Sequence, residues 1–512
     1  MRLAVLRRVG VVVLALGFLG SMGVSSALAA SITVNSLADV AANDGACTLS
    51  EAITAANTDT ASGAAVGECA AGAGADAITF GVAGTITLTA GLPTISTDLS
   101  IAGAGAITVS GASSFRAFHI TAGTVSLSGI TVSAGMAVQG GGILSGSTLT
   151  VTNSTFSGNT GSFGGGGIYN LGGDLTVANS TFSGNSADRG GGIYNAGGTL
   201  TVANSAFSGN TAVNGGGIYD VGTASVTNST ISGNTATSGG GIFNGTGRTL
   251  TVTNSTLSGN TATFGGGGLT AQGTETLVNT IIAGNTAPVG ADIDFVAETI
   301  TTSVIGVPGG KTLADILVPA GLADNGGPTQ TIALALVVGN PAIDAGTASV
   351  CAAAPVYALD QRGLPRPSAC DIGAYEAQPP TVAAHANVAV AVSPPAPTVV
   401  TFTSPAGTDE QGGVAAVACL PASGSTFAVG TTTVTCTATD AVGHTASGSF
   451  QVIVSAVAAP SPPAPSLPNS ATISRTSVPP DTRWVPALFA LLAVFSLVAL
   501  WRVNGRARDR SG

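Results

Sequence analysis

Between Leu149 and Ile293 the chain repeats itself almost residue for residue, and that repetition leaves few folds open. Successive copies read LTVTNSTFSGNT…GGGGIYN, LTVANSTFSGNS…GGGIYN, LTVANSAFSGNT…GGGIYD, ASVTNSTISGNT…GGGIFN and LTVTNSTLSGNT…GGGGLT, followed by a worn copy, ETLVNTIIAGNT. Their first asparagines, Asn153, Asn179, Asn204, Asn228, Asn254 and Asn279, are separated by 26, 25, 24, 26 and 25 residues. A second asparagine keeps the same register at Asn159, Asn185, Asn210, Asn234, Asn260 and Asn285. A fixed step of this size marks a solenoid, in which each repeat buries its apolar face only against its neighbours.

Local chemistry selects the kind of solenoid. Each copy holds three short β-prone runs separated by Asn or Gly corners, and it lacks the Ala, Leu, Glu and Lys at helical spacing that a helical repeat needs. Three strands and three corners in about 25 residues make one coil, with coils about 4.8 Å apart. The expected fold is therefore all-β: a right-handed, single-stranded parallel β-helix, then an immunoglobulin-like β-sandwich, then one C-terminal transmembrane helix. Stacking predicts an inward apolar column of Phe156, Phe182, Phe207, Ile231, Leu257 and Ile282, and a second of Ile168, Ile193, Ile218 and Ile242. The asparagines are expected to form corner ladders, with Asn153, Asn179, Asn204, Asn228, Asn254 and Asn279 as the structural ladder whose amides satisfy backbone groups at the bends. That role explains the Asn-Ser-Thr triplets better than glycosylation does. The residues after the inward isoleucines, Tyr169, Tyr194, Tyr219 and Phe243, alternate outward. They are a candidate ligand-contact column on which sugars could stack, or else a ladder of rings that stack on one another.

Around the array, residues 1–30 read as a secretory signal, with Arg2, Arg7 and Arg8 ahead of an apolar run and Ala27-Leu28-Ala29 at its end. Export puts the six cysteines in an oxidising compartment, and their grouping predicts Cys47–Cys69, Cys351–Cys370 and Cys419–Cys436. Residues 31–90 are expected to cap the solenoid and start its coils, with Leu49, Ile53 and Ala56 on one helical face. Residues 91–317 carry the coils. From Ser31 to Asp344 there is length for about a dozen, a rod of roughly 60 Å. A proline-rich linker spans 457–483, and an uncharged run at 484–501 is the membrane span. The arginine-rich tail, 502–512, is expected in the cytoplasm. The predicted location is thus that of an exported single-pass membrane protein with its N-terminal ectodomain outside. Leu467-Pro468-Asn469-Ser470-Ala471 only faintly resembles a sortase signal.

Several segments resemble known families. CTLSEAI, from Cys47, resembles the CSLREA motif of secreted bacterial β-helix proteins, with Thr48 for Ser and Ser50 for Arg. Residues 318–377, containing LADNGGPTQT, GNPAIDAG and ALDQRGLPRPSACDIGAYE, are similar to the choice-of-anchor module that follows such β-helices. Residues 378–456, with VGTTTVTC and ATDAVG, resemble a HYR (hyalin repeat) domain. The repeats are also similar to those of chlamydial polymorphic outer-membrane proteins, which are adhesins. The 318–377 segment concentrates Asp324, Asp344, Asp360, Arg362, Arg366, Asp371 and Glu376. Its carboxylates suit a hard cation such as calcium. Arg–carboxylate pairs bracing the segment need no ion.

The chemistry of an enzyme is thin in this sequence. Only 8% of residues are charged and the net charge is -10, which excludes a nucleic-acid-binding surface. Between Thr121 and Gly290 the charged residues are Asp174, Asp188, Arg189, Asp220, Arg248 and Glu275, at differing repeat positions; Asp188, Arg189 and Asp220 are the set that could converge. The histidines His119, His385 and His444 are far apart in sequence, and His444 is expected on a surface loop. The sequence therefore predicts a surface-anchored, non-enzymatic rod without catalytic residues, metal or cofactor. Such a rod would be adhesin-like, its partner an extracellular glycan or surface protein. A passive stalk or surface-layer element is the next reading, and a polysaccharide lyase or hydrolase the third.

Overall fold

The computed structural model describes residues 30–457 apart from 296–298 and 355. The predicted signal, most of the linker, the span at 484–501 and the tail lie outside the described residues. Among those described, no helix is long and apolar enough to cross a membrane.

The repeats wind into a parallel β-helix whose strands line up in three sheets of 19, six and eight strands. In one copy the first sheet takes Thr148–Thr152 and Thr155–Ser157, the second Thr160–Gly164 and the third Ile168–Asn170. The register is continuous. Ile32, Ile78, Ile101, Leu127, Val151, Val177, Val202, Val226, Val252 and Leu277 form one inward column, whose register the exposed Ile300 continues. From Ile78 to Ile300 that column makes about nine turns, a rod of about 43 Å at the normal strand spacing. The dozen coils expected from length are too many, because the cap and the segment after Ile305 consume chain without adding turns.

Both predicted apolar columns are buried. Phe156, Phe182 and Phe207 stack with ring centroids 4.7 Å apart and planes within 4°. At the first end, helix Leu49–Thr58 covers the open coil. Thr48 caps it, accepting from the Glu51 amide while the Glu51 carboxylate accepts from the Thr48 amide, a reciprocal box that fixes the helix start. Its Leu49, Ile53 and Ala56 face inward, and Cys47–Cys69 ties the cap down.

The two asparagine columns do different work, and this corrects the sequence reading. Asn153, Asn179, Asn204, Asn228, Asn254 and Asn279 each adopt left-handed backbone, φ 46–51°, at a bend within the first sheet. Asn tolerates that conformation better than other non-glycine residues. They make no amide-to-amide ladder. The ladder belongs to the second column, where Asn185 Nδ2 donates to Asn210 Oδ1 (2.9 Å) and Asn210 Nδ2 to Asn234 Oδ1 (2.8 Å). Each amide also donates to a carbonyl of the preceding coil and accepts the backbone N–H of the Asn before it, as Asn210 does with Phe182 O and Asn185 N. The run begins at the Gly135 N–H and ends on Asp292 Oδ1.

The segment from 318 does more than close the end. Hairpin Leu317–Ala323 with Thr331–Leu334 packs on Ile281, Ala283 and Val304, which face outward from the solenoid. The chain then runs back along the first sheet. Thr329 donates to Asn204 O, Gln361 accepts from Thr230 (2.6 Å), and Asn228 donates to Leu359 O. Cys351–Cys370 forms within this segment. Beyond it, residues 381–456 form a β-sandwich-like unit of a six-stranded and a two-stranded sheet around Val400, Phe427, Val434, Phe450 and Val452. Cys419–Cys436 joins facing positions of adjacent strands there.

Candidate functional site

The aromatic column lies on the outer face of the third sheet, in one file: His119, Leu144, Tyr169, Tyr194, Tyr219, Phe243, Thr270, Asp294. Outward from the coil is not outward to solvent here. Gly190, at φ 61°, folds the second sheet sharply into the third. The second sheet thereby lies against the ring file, and Gly164 sits so close to Tyr169 and Tyr194 that a Cβ would strike both. Tyr169, Tyr194 and Phe243 are 4, 7 and 9% exposed, and Tyr219 is half-buried. Their centroids are 4.7–5.1 Å apart, and Tyr169–Tyr194 and Tyr194–Tyr219 meet edge to face. Burial raises the Tyr169 and Tyr219 hydroxyl pKa values. The rings stack on one another, and only Tyr219 keeps appreciable exposure, which corrects the expectation of an open ligand-contact column at Tyr169, Tyr194, Tyr219 and Phe243.

The exposed repetitive surfaces are elsewhere. On the first sheet, alternation turns Leu and Val inward and Thr and Ser outward. One file runs Ser100, Ser126, Thr150, Thr176, Thr201, Ser225, Thr251, Thr276, Thr299. Beside it runs an exposed file of Thr124, Thr148, Asp174, Thr199, Thr223, Thr249 and Thr274. Two residues along a strand separate the files by about 6.6 Å, and coils separate the rungs by about 4.8 Å. The result is a flat grid of hydroxyls and methyls carrying one charge, Asp174. The LTVT alternation signals this outer grid as much as it does the inward core. On the second sheet Val138, Phe163, Val213 and Phe264 are exposed, and Arg189 lies 4.9 Å over the Phe163 ring.

The charged residues do not converge. Asp188 is exposed on the second sheet, whereas Asp220 is buried at the far end of a third-sheet strand. Asp220 accepts from Asn195 (2.6 Å) and the Gly222 N–H, and Arg248, not Arg189, is the cation acting on it. Glu275 is buried and accepts from Asn244 (2.6 Å). Asp188, Arg189 and Asp220 are therefore not brought together.

In the 318–377 segment the buried carboxylates are paired or hydrogen-bonded. Arg362 pairs with Asp360 (2.7 Å) and Glu410 (3.2 Å) and stacks 3.6 Å over Tyr375; Arg366 pairs with Glu376 (2.8 Å). Asp371 accepts the N–H groups of Asp344 and Ala377, and burial still lifts its pKa to about 6. Burial and the Asp371 charge raise Glu376 against the pull of Arg366. Asp324 stays exposed in a turn. These are the bracing pairs; among the described residues no group of three or more His, Cys, Asp or Glu is arranged for a metal ion. A cleft of about 750 Å³ is lined by the paired Arg362, Tyr375 and Glu410 together with Asp324, Asn325, Gln378 and Gln411. His444, expected on the surface, is largely buried between Asp440 (3.2 Å) and Asp344 (3.5 Å).

Residues 105–287 match the family model described as a right handed beta helix region, and residues 375–454 match the HYR domain. The chain thus holds one region similar to right-handed β-helices and a second similar to HYR domains. No curated protein sequence matches it. Among solved structures, the crystal structure of pectate lyase Pel9A is similar at 16% identity and a TM-score of 0.39, over 68% of this chain and 96% of that one. The three disulfides fit an extracellular or other oxidising compartment.

Proposed function

We propose that this protein is an extracellular, membrane-anchored rod that binds a neutral glycan through the hydroxyl grid of its first sheet, without cleaving it. The observation that carries the reading is the grid itself: two solvent-facing files of Ser and Thr, repeating over successive coils, with one charge among them. A polysaccharide repeats its own hydroxyls and C–H faces along a chain, so weak contacts add up over many rungs. The net charge of -10 disfavours polyanions. In this reading a CSLREA-like cap and a choice-of-anchor-like segment bound the rod, the HYR domain follows it in the chain, and the run at 484–501 is the membrane anchor.

The test is the full chain incubated with neutral and acidic polysaccharides, scoring bound protein and newly released chain ends together. The reading predicts retention on neutral polymers with no new ends. Release of chain ends would make the protein a lyase or hydrolase; no retention on any neutral polymer would leave the passive stalk.

A further inference from the structure

A second, shorter hydrogen-bond file runs where the third sheet turns into the first. Asn170 Nδ2 donates to Asn195 Oδ1 (2.9 Å), and Asn195 Nδ2 donates to Asp220 Oδ1 (2.6 Å). Register places Asn244 next, and Asn244 Nδ2 donates onward to Glu275 Oε1 (2.6 Å). All the donations run one way. At the Asp220–Asn244 step an ionised carboxylate would present an acceptor to an acceptor. Both residues are fully buried, and Asp220 Oδ2 and Asn244 Oδ1 have no hydrogen-bond partner.

Loop length explains why an acid stands at 220. After Asn170 and Asn195 the loop returns a carbonyl, Gly173 O or Gly198 O, to the side-chain N–H. After Asp220 the loop is one residue shorter, and it presents the Gly222 N–H instead (3.1 Å). Oδ1 of Asp220 thus takes two donors, while Oδ2, also buried, takes none.

We propose that Asp220 is protonated in the folded protein at neutral pH and donates from Oδ2 to Asn244 Oδ1, so that one proton completes the file. Geometry states the need, and burial, which raises the Asp220 pKa, supplies the cause. Among the described neighbours, Asn195 and Asn244 do not titrate. Arg248, in the loop after Asn244, is the charge that opposes protonation. Tyr194 and Tyr219 lie in the file on the outer face of the sheet, and Glu275 is beyond Asn244. Since the folded group holds its proton more tightly than the unfolded one, its stabilising contribution is complete below the ordinary Asp range. That contribution is lost as pH rises through the folded value.

Infrared difference spectra of the full chain against Asp220→Asn test this directly. The expected result at pH 7 is a protonated-carboxyl C=O band present in the wild type and missing from the variant. Asn supplies the same donor without titrating, so the variant should also keep its urea midpoint from pH 6 to 9 better than the wild type does. No band difference, or a variant less stable than the wild type at every pH, would overturn the proposal. So would a variant that fails to fold.

Discussion

Replacing Asn210 by Ala should wound the rod at the centre of its asparagine ladder. Asn210 is fully buried and makes four hydrogen bonds: to Phe182 O (2.9 Å) and Asn234 Oδ1 (2.8 Å), and from the backbone N–H (3.0 Å) and Nδ2 (2.9 Å) of Asn185. Ala leaves the Asn185 N–H and Phe182 O without these partners in a space closed by packed coils. At about 1–3 kcal/mol for each buried group left unsatisfied, the loss is about 4 kcal/mol. Because a solenoid's stability is a sum of coil and interface contributions, the damage should be concentrated at the 159–234 coils. Hydrogen exchange on the full chain should show protection lost there while the cap at 47–69 is spared, and the urea midpoint should fall. Asn179→Ala is the control. It removes an amide outside the ladder and costs about 1 kcal/mol, for placing Ala in left-handed backbone. If Asn179→Ala proves as harmful as Asn210→Ala, the assignment of the ladder to the second column is wrong.

Three further outcomes follow from the packing. Tyr194→Ala should destabilise by about 3 kcal/mol by leaving a hole among stacked rings, with Tyr194→Phe within about 1 kcal/mol of wild type; thermal denaturation of the pair reads this. Gln361→Ala removes bonds to Thr230 (2.6 Å), Thr329 (2.9 Å) and Gln330 O (2.9 Å). At ~2 kcal/mol, roughly 30-fold faster exchange is expected in residues 324–376. Arg366→Ala strands buried Glu376 and should cost about 3–5 kcal/mol, seen as proteolysis between 318 and 377.

The sequence made the coil legible because its period, its β-prone runs and its inward columns all point the same way. It could not by itself say which asparagine turns inward. In the SGN corner, Gly158, Gly184 and Gly209 take the left-handed conformation at φ 62°, which frees Asn159, Asn185 and Asn210 to point in. In the TNS and ANS corners no glycine precedes, so the Asn itself must take that conformation. The glycine was the available signal. Alternation puts Tyr194 on the outside of its coil, but alternation within one strand is blind to a second sheet folding over it. The path of residues 318–377 was likewise hidden, because Gln361 and Thr230 are 131 residues apart and nothing local couples them.

A neutral glycan held on the first-sheet grid would lie against the exposed Thr199 and Thr223. The most direct measurement compares retention of the full chain and of a Thr199→Lys, Thr223→Lys variant on neutral polysaccharides. Both positions are exposed, so the added charges leave the core alone. The wild type should be retained, and the variant, equally stable, should pass through. Equal retention of the two, or retention of neither, would contradict binding at the grid.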